Sequence, residues 1–108
     1  MESINQLTEA AIGSAIKVHR KLGPGVLERP YELCLAHELR KSGFRVEHQK
    51  PISIVYDDLT IEDAFKVDLL VNEVLILELK AKKSIDPIDE AQIISYLRLM
   101  NLQVGLLM

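Results

Sequence analysis

The chain has 108 residues, 48% hydrophobic and 27% charged, with 13 Lys and Arg against 16 Asp and Glu. That is the make-up of one ordinary globular domain over residues 1–108, large enough to bury a core unaided, and its single cysteine excludes a disulfide frame or a cysteine-built zinc site. The net charge of −3 excludes nucleic-acid binding by bulk positive charge, and the whole acidic excess lies after residue 60, where eight acids face five bases.

Met1 to Thr8 is polar and no basic stretch leads into an apolar run, so no secretory leader is expected. No segment approaches the roughly 18 apolar residues of a membrane span. The expectation is a soluble cytoplasmic protein, and the lone Cys34 agrees with a reducing compartment. From Ile4 to Leu22 apolar residues recur every three or four positions (Ile4, Leu7, Ala11, Ala15, Val18, Leu22), with Ile12 and Ile16 widening the stripe; this predicts an amphipathic helix ended by Gly23-Pro24-Gly25. A second helix, about 27–42, would bury Leu27, Tyr31, Cys34, Leu35 and Leu39, with Pro30 harmless in its first turn.

The period then becomes alternating. Phe44, Val46 and His48 face one side of a strand and Arg45, Glu47 and Gln49 the other; Pro51 is expected to break it before a short strand at Ile52, Ile54 and Tyr56. After the turn signal Asp57-Asp58, the runs 61–71 and 74–80 across Asn72-Glu73 predict a β-hairpin. Pro87 opens a third helix, about 88–101, with Asp86, Asp89 and Glu90 at its positive end, and 102–108 forms a last strand. That strand ends the chain on bare apolar residues, which predicts either a partner covering the edge or a chain lacking a C-terminal segment.

Two acids stand out because they interrupt runs apolar enough for central strands: Asp68 within 65–71 and Glu78 within 75–79. A buried carboxylate is costly unless a cation or hydrogen bonds compensate it. Glu78 and Lys80 share a strand face by parity. Asp68 joins that face only with an odd hairpin loop centred on Glu73, where it would stand opposite Glu78; a two-residue loop would turn it away. A divalent cation between two such carboxylates removes their repulsion, and oxygen-only donors favour Mg²⁺ or Mn²⁺. The ordinary alternative is an ion-pair cluster without chemistry. Glu28 falls at the margin of the second helix's stripe, and Gln92 and Tyr96 share a face of the third helix with Ile88 and Leu99, each with an ordinary structural explanation.

Taken together, Gly25-Val-Leu-Glu28-Arg-Pro-Tyr31, Asp68, Glu78-Leu-Lys80 and Gln92-Ile-Ile-Ser-Tyr96 resemble the GxxExxY family of the PD-(D/E)xK nuclease superfamily. The resemblance implies a restriction-endonuclease-like αβββαβ core, a mixed central sheet flanked by helices, here with an extra N-terminal helix. It implies Asp68 and Glu78 as metal ligands with Glu28 as a helical acid near the metal, and Lys80 as the catalytic lysine. Gln92 and Tyr96 would lie near the lysine and the phosphate backbone, while Gly25 and Tyr31 belong to the motif that names the family. The function expected is Mg²⁺- or Mn²⁺-dependent hydrolysis of DNA or RNA, in repair or defence; the alternative is a non-catalytic member binding nucleic acid or protein. Lys82, with Lys66, Lys80 and Lys83, offers local positive charge to such a substrate. A homodimer through the terminal strand or the third helix fits either reading.

Overall fold

The computed structural model describes residues 3–25, 27–80 and 84–108. Helix α1 (Ile4–Leu22) is started by a capping box in which Ser3 and Gln6 exchange side-chain and backbone hydrogen bonds. It buries Leu7, Ala11, Ala15 and Val18. Ile12 and Ile16, expected to widen this stripe, are exposed, because the seam built on Ala11 and Ala15 is narrow. Helix α2 (Glu28–Lys41) buries Glu32, Leu35, Ala36 and Leu39. Leu27, expected in the core, is instead its extended N-cap residue and is 74% exposed: it precedes the first helical turn and so does not share the stripe's phase.

Strand β1 (Val46–Tyr56) runs without interruption through Pro51, which pairs with Lys66 of β2 (Leu59–Val71). The expected break fails because β1 is an edge strand, where a residue lacking N–H leaves no ladder bond unmade on its open side. The irregularity lies beyond Pro51, between Ile52 and Ile54, where Asp63 takes a φ of 51°. Strand β3 (Leu75–Glu78) follows a three-residue loop, Asn72-Glu73-Val74, and pairs Val71 with Leu75 and Leu69 with Leu77. Helix α3 (Pro87–Met100) has a capping box between Asp86 and Asp89, and β4 (Val104–Leu107) then pairs in parallel with β3.

The order ααβββαβ, with one mixed sheet β1-β2-β3-β4, is the restriction-endonuclease-like architecture expected. Helices α1 and α2 cover one face, over Leu69, Val71, Leu75 and Leu77, joined by the half-buried Cys34. Helix α3 covers the other, over Val67, Leu70 and Ile76. Ile88 and Leu99 point to solvent, while Ile93, Tyr96, Leu97 and Met100 meet the sheet. Periodicity could not choose this face because α3 is apolar on several sides. Gly105 permits the contact: a Cβ there would stand 2.8 Å from Ile93 Cδ1. Among the described residues no helix is long and apolar enough to cross a membrane.

Candidate active site

The three-residue loop settles the hairpin register. Continuing the pairs one step past Leu69 and Leu77 brings Asp68 opposite Glu78, at the point where β2 and β3 part. Each acid there replaces a backbone partner: the Asp68 N–H donates to Glu78 Oε1 (3.2 Å), and the Leu79 N–H donates to Asp68 Oδ2 (2.8 Å). Beyond the fork β3 follows β4 alone, through Met108 N–H to the Glu78 carbonyl and Lys80 N–H to the Met108 carbonyl, both 2.9 Å. The sheet therefore opens on one side only, and the two carboxylates fill the wedge.

Glu78 is 4% exposed. Burial, and then the negative Asp68 beside it, push its carboxyl up to about 8, against the opposing pull of the Asp68 N–H and the Lys80 ammonium. Lys80 Nζ lies 4.0 Å from Asp89 Oδ1 at the start of α3. From the same helix Tyr96 stacks on Phe65, with centroids 4.1 Å apart and planes 7° from parallel. Burial raises the Tyr96 hydroxyl's pKa, and the charges of Glu78 and Asp68 raise it further, as expected of a phenol near that pair.

From the opposite face, α2 contributes Glu32, 5% exposed. Its Oε1 lies 2.8 Å from both His48 Nε2 and Gln49 Nε2, and Gln49 Nε2 also donates to Asp68 Oδ1 at 3.1 Å. The sequence reading missed Glu32, although 32, 35, 36 and 39 are helical spacing and Glu32 falls inside the buried stripe. Nothing in the pattern marked Gln49, assigned to the strand's other side.

The structure thus brings together Asp68, Glu78, Lys80 and Tyr96. Glu28, at the first turn of α2, is half-buried and has no side-chain hydrogen bond or ion pair with another described residue; the helical acid tied to Asp68 is Glu32, one turn on. Gln92 is exposed, without a side-chain hydrogen bond among the described residues. Lys82 lies outside the described residues. Gly25, with φ of 85°, sits in the turn between α1 and α2, and the Tyr31 hydroxyl donates to the Ala15 carbonyl at 2.9 Å, so these two motif residues join helices.

A mixed four-stranded sheet between helix layers, forked at paired carboxylates with a lysine two residues on, defines a nuclease-type domain. The sequence profile of the PD-(D/E)XK nuclease superfamily matches residues 5–108, and the chain belongs to that superfamily. Comparison with curated proteins and with solved structures gave no match. Nucleases of this superfamily generally use divalent metal ions. The donors here fit such an ion: a buried and a half-buried carboxylate that repel each other, with only oxygen atoms, suit a hard cation. Among the described residues no group of three or more His, Cys, Asp or Glu side chains is placed to hold a metal ion.

Proposed function

We propose that this chain is a GxxExxY-type, Mg²⁺- or Mn²⁺-dependent phosphodiesterase acting on DNA or RNA, a single cytoplasmic domain. The observation that carries it is the pairing of Asp68 and Glu78 at the fork, with Lys80 extending from the same strand. Asp68 and Glu78 would hold the cation, which supplies Lewis acidity toward the phosphate and lowers the pKa of a bound water. Lys80, whose Nζ lies 4.0 Å from Asp89, would balance negative charge on the phosphate as an ammonium, or as the neutral amine would orient or deprotonate the attacking water. Tyr96 borders the same space and offers its hydroxyl to a phosphate oxygen. Glu28, one turn before Glu32 on α2, and the exposed Gln92, one turn before Tyr96 on α3, would meet substrate rather than cation, and Lys82 would add positive charge. Roles in repair or defence suit such an activity, and a homodimer through β4 or α3 would cover their apolar surface.

The test incubates the protein with single-stranded DNA, double-stranded DNA and RNA in Mg²⁺, Mn²⁺ or EDTA, beside Glu78→Ala and Lys80→Ala. Cleavage that needs the cation and falls about a hundredfold or more in both variants is expected. Cleavage surviving both substitutions is contamination. No cleavage on any substrate, together with no cation binding, favours a non-catalytic nucleic-acid- or protein-binding member.

A further inference from the structure

Gln49 has a φ of 51° in the middle of a strand, a left-handed backbone that few residues other than glycine adopt. Its neighbours keep perfect register with β2, His48 opposite Leu69 and Lys50 opposite Val67, so the departure is confined to one residue. What it changes is the direction of a side chain. Consecutive strand residues point to opposite faces, yet His48 and Gln49 both reach Oε1 of Glu32. The carboxamide nitrogen carries two hydrogens, and they have two carboxylate acceptors, Glu32 Oε1 at 2.8 Å and Asp68 Oδ1 at 3.1 Å. Since Leu79 N–H holds the other Asp68 oxygen, both oxygens of that carboxylate are located by donors.

We propose that Gln49 is a positioning residue for the cation site: it clamps Asp68 to the buried Glu32 of α2, fixing the carboxylate at the fork in the geometry that receives the ion. The inference rests on Asp68 and Glu78 being the cation ligands and goes beyond it, since none of the motif residues supplies this clamp. Residues that hold ligands in place tune affinity without touching the ion, and their loss typically weakens metal binding ten- to a hundredfold. The left-handed φ belongs to the same device, because strain of this kind persists where the surroundings over-determine it.

Mn²⁺ titration calorimetry on the full chain, with thermal unfolding in EDTA, tests the clamp in wild type, Gln49→Gly and Gln49→Ala. Glycine accepts φ of 51° freely and alanine does not, so the glycine variant unfolds at a higher temperature than the alanine variant. Both weaken Mn²⁺ binding by about tenfold or more. Affinity then follows the amide, whereas stability follows the backbone. Glu32→Gln reads the clamp from its far end, and a several-fold loss of Mn²⁺ affinity is expected. Wild-type affinity in folded Gln49→Gly, or in Glu32→Gln should the former not fold, overturns the clamp alone. No Mn²⁺ binding by the wild type overturns the clamp and the cation-dependent reading together.

Discussion

The main-chain N–H of Asp68 and the side-chain Oε1 of Glu78 are 3.2 Å apart, and the neighbouring Leu79 N–H is bound by the Asp68 carboxylate. Each acid therefore satisfies the backbone of the other's strand where the ladder stops. Buried amides that lose a ladder partner need another, so the acids hold the fork open as well as carrying negative charge into it. Two functions compete for one pair of side chains, and the competition is measurable.

Protonation of Glu78 makes the cost visible. Its carboxyl is raised from the ordinary 4.5 to about 8, so between those values the folded chain holds a proton that the unfolded chain has lost. The stabilisation is complete below about pH 4.5 and disappears as pH rises through about 8. Thermal unfolding in EDTA should show wild type losing more stability between pH 6 and pH 9 than Glu78→Gln, whose amide does not titrate. Parallel pH profiles would contradict the raised carboxyl.

Tyr96 joins two properties that substitution separates. Phenylalanine keeps the ring stacked on Phe65, so Tyr96→Phe should unfold in urea within about 0.5 kcal/mol of wild type. Tyr96→Ala removes the stack and half-buried apolar area, for a loss of about 2 kcal/mol. If the phenol contacts substrate, Tyr96→Phe lowers cleavage at unchanged stability; equal cleavage restricts Tyr96 to packing.

Tyr31 tests whether the family-naming motif is architectural. Its hydroxyl bond to the Ala15 carbonyl is part-buried and links α2 to α1. Tyr31→Phe should cost about 1 kcal/mol in urea unfolding, with Mn²⁺ affinity unchanged, because the bond lies in the helix layer away from the fork. A change in affinity at equal stability would place Tyr31 in the site's own network.

The hairpin loop invites a stabilising change. Glu73 has a φ of 62° and its exposed partner Arg45 Nη1 is 3.7 Å away, a pair worth little in water. Glu73→Gly relieves the left-handed backbone and should stabilise the chain by about 0.5–1 kcal/mol, measured in high salt where the ion pair is screened. A variant destabilised under these conditions would mean that the left-handed φ at Glu73 carries no strain for glycine to relieve.

What the sequence carried and what it withheld divide along one line. Helical spacing delivered α1 over Ile4–Leu22, and the apolar run delivered β3, which ends at Glu78, two residues short of Lys80. Parity also linked Asp68 to Glu78 under one condition, an odd loop, and that condition is a backbone property: left-handed φ at Asn72 and Glu73, residues whose side chains do not demand it. Pro51 misled because its cost depends on whether a neighbour strand exists, a tertiary fact. Gln49 was invisible for the sharpest reason, since its contribution arises by violating the alternation from which strands are read. Glu32 is legible in its spacing, inside the buried stripe of α2 one turn after the motif acid Glu28.

The fork also joins contacts of very different sequence separation. Asp68 meets Glu78 across ten residues of chain, within one hairpin. Lys80 is aligned by Met108, whose carbonyl takes its N–H across the parallel β3–β4 pairing that follows α3. The acid pair thus rests on a contact local in sequence, whereas the lysine's backbone is held by the last strand, so the site's geometry depends on the far end of the chain.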